Sequence, residues 1–484
     1  MTMSPDRREF LKWAALAAGG SAGALAGCAR SGDKADYTLR IATGAVELAP
    51  GHVVSTLTYN GQFPGPLLRF TEGRRTVVDV FNDTDSAEQL HWHGQQVGVD
   101  VDGAAEEGTP YIPAHGMRRI SFVPGPAGFR FYHTHVVPRA DLSRGQYSGL
   151  VGPVYIEPRH NGGGYDQEIF LTLKEFEPSL SRGGDMASDF LAGAPDPDLR
   201  ARGESSMAAS LARGDPRGFE VGYAAFAING RALGHGDPIR VRTGQLVLLH
   251  VLNGSATETR SLALPGHAFN VIALDGNPVP HPAPVPVLWL GAGERVSALV
   301  RMTNPGVWVL GDLADDDRGR GMGVVVEYAG RGEDPVWTAP PPFAWDYRLF
   351  ARPAAVPPPD HTIELLIEKR NAADDGFNAW TINGTAFAMA ANQPVLDVRR
   401  GERYRLRFRN ASDDLHPMHL HRHTFEITEF AGTPTAGVRK DVAMLGGYQS
   451  MDVDFVADQP GLSLLHCHQQ IHMDYGLMLL LNSR

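Results

Sequence analysis

The sequence predicts an all-β protein built of three consecutive Greek-key β-sandwich or barrel units. Three observations predict it. The 484 residues include 55 glycines and 35 prolines, a supply of turn formers that suits many short strands better than long helices. One unit recurs three times along the chain. Each copy alternates Val, Leu and Phe with polar residues at the two-residue period of a half-buried strand. A chain of this length also exceeds a single hydrophobic core.

The first element is Asp6-Arg7-Arg8-Glu9-Phe10-Leu11-Lys12 and the Ala/Gly/Leu stretch through Gly27. A basic start and an apolar run too short to span a bilayer comfortably make a signal peptide. The pair Arg7-Arg8 resembles the twin-arginine export signal, with Asp6 where that pattern usually begins with Ser or Thr. Residues 1–36 are therefore read as signal and tail, and the expected location is periplasmic or cell-envelope. Leu25-Ala26-Gly27-Cys28 admits two readings: a lipobox, with Cys28 carrying a lipid anchor, or a simple small-residue cleavage site. In either case Cys28 lies outside the fold. Cys467 is then the only thiol of the folded part, which leaves no intramolecular disulfide.

The repeated unit spans residues 57–93, 226–264 and 380–421. Each copy has Asn-Gly, then a turn glycine, an alternating strand and an asparagine. Gly73 to Asn82, Gly244 to Asn253 and Gly401 to Asn410 are each nine residues apart. Nine residues beyond each asparagine stand His91, Leu262 and His419, and two further on His93, Leu264 and His421. A second segment repeats as well: His133-Thr134-His135 matches Gly311-Asp312-Leu313 and His466-Cys467-His468. The first and third copies carry histidine pairs where the middle copy has none. The units are placed at 37–160, 165–335 and 340–484. Residues 178–218 break the pattern and are expected to form a loop or short-helix insertion, and the proline runs of 335–360 read as a linker.

Ten of the 19 histidines lie in four short motifs. On a strand, residues i and i+2 point to the same face, so each His-x-His is a two-pronged nitrogen claw. One claw alone is as well explained by a hydrogen-bonded surface pair. Four claws, His91/His93, His133/His135, His419/His421 and His466/His468, at repeat-equivalent positions point to metal. Alternation sends the Cys467 sulfur to the opposite face, where it can meet His416 and His472. One thiolate and two imidazoles with a weak or absent axial ligand describe a blue-copper electron-transfer site, whereas a closed structural zinc site wants a fourth strong ligand.

HWHG (91–94), YHTH (132–135), HPMHLH (416–421) and HCHQQIH (466–472) together resemble the four copper motifs of the multicopper oxidases, and the three repeats resemble their three cupredoxin domains. The resemblance covers essentially the whole exported chain and implies four copper ions. Carried over by position, Cys467, His416 and His472 would bind type-1 copper. His91 and His419 would bind type-2 copper, and His93, His133, His135, His421, His466 and His468 the type-3 pair. It further implies that Cys467 wires the type-1 site to its neighbours His466 and His468, and that the cofactor does the redox chemistry while the protein sets geometry and potential. Leu477 falls at the type-1 axial position, where leucine cannot coordinate, so a comparatively high potential is expected. Asp102, in VDVDG, matches an acid that assists proton delivery in relatives; by itself it reads equally as a solvated loop residue. Gln470 and Met473 stand where many relatives have an acid, with Asp474 following. Arg422 stands where glycine is common in the family, and His423 extends the third-unit row. The other eight histidines are read as ordinary surface or core residues.

Hydrophobic residues at 43% and charged residues at 20% exclude wholesale disorder and a polytopic membrane protein. A net charge of −11 without a long Lys/Arg run argues against nucleic acid as a partner. The expected partners are a small-molecule reducing substrate and dioxygen, and the expected state is a monomer. A laccase-like oxidase of phenols or aromatic amines is the first reading. A metallo-oxidase of Cu(I), Fe(II) or Mn(II) is the alternative, although the 13 methionines are dispersed and thioethers are what suit Cu(I). Acids at Asp413-Asp414 could serve a metal or amine, or simply be solvated. A non-enzymatic cupredoxin-fold envelope protein would have lost copper ligands, and a copper nitrite reductase would need neither the type-3 set nor three units.

Overall fold

The computed structural model describes residues 34–159, 163–182, 189–215, 217–389 and 395–484. The export segment with Arg7, Arg8 and Cys28, and also His160, lie outside the described residues. The chain is mostly β-strand, arranged as three successive cupredoxin-like sandwiches. Two four-stranded sheets draw their strands from Tyr37–Ala49 through Val151–Glu157. A six- and a five-stranded sheet run from Gln167–Ser181 through Gly323–Tyr328, and a seven- and a five-stranded sheet from His361–Asp374 through Met478–Ser483. No helix among the described residues is long and apolar enough to cross a membrane.

The repeat is explained by turn and loop chemistry. Asn60-Gly61, Asn229-Gly230 and Asn383-Gly384 all take positive φ at both residues, as a two-residue hairpin turn of type I′ requires. Each turn asparagine also accepts a backbone N–H from a neighbouring strand, those of Arg40, Thr172 and Leu366 at 2.7–2.8 Å. The second asparagine is buried in every copy and staples the end of its strand to the loop that follows. The amide of Asn82 donates to Ser86 and Ile112, that of Asn253 to Glu258 and Leu290, and that of Asn410 to Asp414 and Gly446. This staple sets where the next strand starts, and that strand carries the first claw.

In the first sandwich the strand His91–His93 pairs with Gly128–His133 so that His91 faces His133. In the third, His416–Leu420 pairs with Gly461–Cys467 so that His419 faces His466. The claws are thus brought side by side by strand register. In the middle copy Leu262 and Leu264 are buried in the hydrophobic core, which runs without a break into the third sandwich.

The insertion is part strand and part helix. The strand Gln167–Ser181 continues into it, and a 16-residue helix, Pro197–Ala212, fills much of the rest. Asp196 caps this helix by accepting from the backbone N–H groups of Asp198 and Leu199, with proline in the first turn. The helix buries only Leu199 and Ser210, so its sequence carries no apolar stripe to reveal it. Within 335–360, Trp345, Tyr347 and Phe350 are fully buried, so this stretch packs into the core.

Candidate metal centre

Among the described residues, five groups of three donor side chains lie with their ligand atoms within 4.8 Å of one another: His416/Cys467/His472, His91/His93/His419, His93/His133/His468, His135/His421/His466 and His91/Asp102/His421. All these residues are buried. The first group stands apart from the eight claw histidines. Cys467 Sγ is 3.7 Å from His416 Nδ1 and 3.5 Å from His472 Nδ1, and the two Nδ1 atoms are 3.0 Å apart. Ser412 Oγ lies 2.9 Å from the far nitrogen of His416. Burial pushes the Cys467 thiol well up and the His416 imidazole down to about 4. Two neutral nitrogens and a thiol therefore face one small volume. Leu477 is fully buried, and its backbone carbonyl accepts the Cys467 N–H at 3.1 Å.

Among the eight claw histidines, hydrogen bonds fix which nitrogen is free. A carbonyl oxygen only accepts, so the proton sits on Nδ1 of His91 (to Asp102 O, 2.9 Å), His133 (to Thr134 O, 2.8 Å), His419 (to Asp441 O, 2.7 Å) and His466 (to Cys467 O, 2.7 Å). Among the described residues, Nε2 of His91, His133, His135 and His419 is buried with no hydrogen-bond partner. His93 is reversed: its Nε2 lies 3.0 Å from Asp441 Oδ1, and its Nδ1 faces His468 Nε2 at 3.3 Å. Burial, and then the neighbouring imidazoles, hold His93, His133, His419, His421, His466 and His468 well below the usual histidine range, hence neutral and able to ligate. Buried lone pairs without partners are costly; convergent neutral imidazoles and one thiol are the donor set that copper accepts.

Asp102 is fully buried rather than solvated. Its Oδ2 is 2.9 Å from His421 Nδ1 and 3.1 Å from His91 Nδ1. The adjacent Gly103, at φ +99°, lies where a Cβ would strike the Leu90 carbonyl, which accounts for the glycine of VDVDG. Asp474 is buried as well, accepting from Gln470 Nε2 at 2.6 Å and from the Arg139 N–H at 2.8 Å, and burial raises its carboxyl well above the usual range. Met473 is core. Arg422, in a left-handed backbone conformation (φ +62°), donates to the carbonyls of Val97, Leu462 and Pro460 and so stitches the first sandwich to the third beside His421. His423 donates to the His421 carbonyl and joins none of the donor groups.

Sequence reasoning missed four carboxylates and an arginine here. Glu106 and Glu107, in a buried turn, come within 3.4 Å of His135 Nδ1 and His421 Nδ1 respectively. Asp441 holds His93 and receives a two-pronged fork from Arg295 of the middle sandwich, at 2.7 and 2.6 Å. Asp275, also from the middle sandwich, accepts the backbone N–H groups of Asp441 and Val442. The one available signal was the glycine of HWHG: a Cβ on Gly94 (φ +77°) would stand 2.6 Å from Asp441 Oδ2 and 2.7 Å from Arg295 Nη2.

Above the Cys467 group lies a cleft of about 20 Å3, lined in part by Met207, Glu220, Lys369, Asp413 and Asp414. Asp413 and Asp414 are not solvated loop acids: both pair with Lys369, and Asp414 accepts from Trp380 Nε1 at 3.2 Å. The Trp380 ring packs on His472 with centroids 4.1 Å apart. Burial raises the Glu220 carboxyl to about 8.

Family models described as "Multicopper oxidase" match residues 40–161, 202–324 and 357–484. The chain is 30% identical to multicopper oxidase MmcO of Mycobacterium tuberculosis, over 98% of this chain and 96% of that protein. It is 25% identical to an L-ascorbate oxidase of Nicotiana tabacum, over 86% and 85%. The crystal structure of a multi-copper oxidase from Pseudomonas thermotolerans superposes with a TM-score of 0.67 at 26% identity, covering 93% of this chain and all of that one. With this fold and these donor groups, the chain belongs to the multicopper oxidase family and is an oxidoreductase.

Proposed function

We propose that the enzyme couples four one-electron oxidations of an organic reductant, a phenol or aromatic amine, to the reduction of dioxygen to water. In this reading Cys467, His416 and His472 hold one copper ion, His91 and His419 a second, and the triads His93/His133/His468 and His135/His421/His466 a coupled pair. Copper held at these positions would supply the one-electron chemistry that dioxygen reduction needs. Cys467 is bonded through the backbone to His466 and His468, so the two centres share a covalent path. Asp102 orients His421 and His91 through Oδ2, and its carboxyl, which also interacts with that of Glu107, is the group proposed to pass a proton for water formation.

One observation favours an organic donor over a metal ion: the acids above the Cys467 group are already satisfied. Lys369 pairs with both Asp413 and Asp414, Arg182 and Arg217 also line the cleft, and burial raises the Glu220 carboxyl to about 8. Among the described residues, a cation would meet little free negative charge there and one thioether, Met207. The cleft has room for about one water, so the donor contacts the rim and its electrons enter beside Trp380 and His472. Arg7-Arg8 is proposed to direct export, with Cys28 as anchor or as part of the discarded signal, and the three units 37–160, 165–335 and 340–484 to act together as a monomer.

The test is oxygen uptake by the copper-loaded enzyme with a phenol, Cu(I) or Fe(II), using Cys467→Ser as blank. Faster uptake with the phenol supports the organic reading. Preference for either metal ion overturns it in favour of a metallo-oxidase.

A further inference from the structure

The middle sandwich carries none of the claw histidines, yet its turn at residues 291–295 reaches the claws from the side. A Cβ on Gly293 (φ +81°) would stand 2.7–2.8 Å from the His468 ring, so that imidazole rests directly on this backbone. Two residues on, Arg295 is fully buried and sends both terminal nitrogens onto the Asp441 carboxylate, whose Oδ1 lies 3.0 Å from His93 Nε2. Arg295 is itself held: Nη1 donates to Gly293 O at 2.9 Å and Nη2 to Asp275 O at 3.2 Å. Around the fork, Arg130 and Lys440 face Asp441, Asp275 and Glu294, so three buried cations meet three buried carboxylates.

We infer that Arg295 is a positioning residue: by fixing the rotation of the Asp441 carboxylate it holds His93 in the Nε2–H tautomer, which turns Nδ1 toward the coupled pair. The inference rests on His93 being a ligand of that pair. Its physical basis is the fork. A guanidinium with two parallel N–H···O bonds defines the plane of a carboxylate, which one ammonium cannot do. A carboxylate held in plane then selects which imidazole nitrogen carries the proton, as outer-sphere partners of metal-ligating histidines do. The other histidines whose tautomer is set by a backbone carbonyl need no such device. His93 is turned the other way, and its partner is a side chain that must itself be held. On this view the middle unit is retained as a brace for the centre as well as a spacer.

Arg295→Lys tests this, because it keeps the charge and removes the fork. Wild-type and variant are compared by copper titration, by the fraction of bound copper visible to electron paramagnetic resonance, and by the blue absorption of the Cys467 site. The expected result is an unchanged blue site, copper binding at the pair weakened about 10–100-fold, and a larger visible fraction as one partner of the silent pair is lost. Asp441→Asn, similar in shape, is expected to do the same and carries the test if Arg295→Lys does not fold. Wild-type affinity and a silent pair in both variants, even with a lowered unfolding temperature, would overturn the inference. If the wild-type chain itself shows no silent pair, the assignment of His93 as a ligand fails instead.

Discussion

Cys467 and His466 are neighbours in the chain that fall in different donor groups. Cys467 Sγ lies 3.5 Å from His472 Nδ1, while His466 Nε2 lies 3.0 Å from His421 Nε2. Strand alternation at the end of Gly461–Cys467 does this: successive side chains leave on opposite faces, so one peptide unit separates the two groups. The Nδ1 of His466 bonds the Cys467 carbonyl at 2.7 Å, which adds a hydrogen-bonded link to the covalent one.

Burial of that thiol gives a pH dependence with a definite sign. The Cys467 thiol is pushed up, whereas His416 (about 4) and His472 are pushed down. Between pH 5 and 8 both imidazoles are already neutral, and only the thiol must release a proton to bind metal. Copper affinity of the apoprotein at this site should therefore rise about tenfold per pH unit across that range. Titration of the blue band at several pH values checks this; a flat profile would contradict it.

Leu477 is fully buried, is hydrogen-bonded to Cys467 through the backbone and offers no side-chain donor. Leu477→Met should lower the potential measured by spectroelectrochemistry. Leucine and methionine have similar volumes, so the substitution should cost less than about 1.5 kcal/mol of stability.

Asp102→Asn keeps the shape beside His421 and His91 and removes the charge. Turnover under saturating donor should fall by about 10²–10⁴-fold. Reduction of the blue site by the donor, followed anaerobically by stopped flow, should stay at the wild-type rate, because Asp102 lies at the other centre. Equal losses in both steps would contradict this division.

Gly94→Ala should be among the most damaging small substitutions. Its backbone is left-handed, and the added carbon meets the Arg295–Asp441 fork. A loss of about 1–3 kcal/mol is expected from the backbone conformation alone. Thermal unfolding and copper content report it together.

Much of this was readable in the sequence, for identifiable reasons. The Asn-Gly turns and buried asparagines that define the repeat are local, so their chemistry shows wherever they stand. The His-x-His pairs show because strand register places both claws of one sandwich together. The bounds of the helix Pro197–Ala212 were not legible because it buries only Leu199 and Ser210 and so has no apolar stripe. Asp441 and Glu107 were hidden because each meets its histidine from far along the chain, and Arg295 because it reaches Asp441 from another sandwich; a single charged residue has no spacing to betray it. Asp413 and Asp414 looked solvated because Lys369, their partner, stands some forty residues earlier.

As proposed, two connected centres deliver electrons to dioxygen without releasing a partly reduced product. The most direct test is the ratio of a one-electron donor oxidised to dioxygen consumed, with peroxide assayed in the same vessel. The account predicts about four donors per dioxygen and no peroxide. A ratio near two with peroxide accumulating would contradict it.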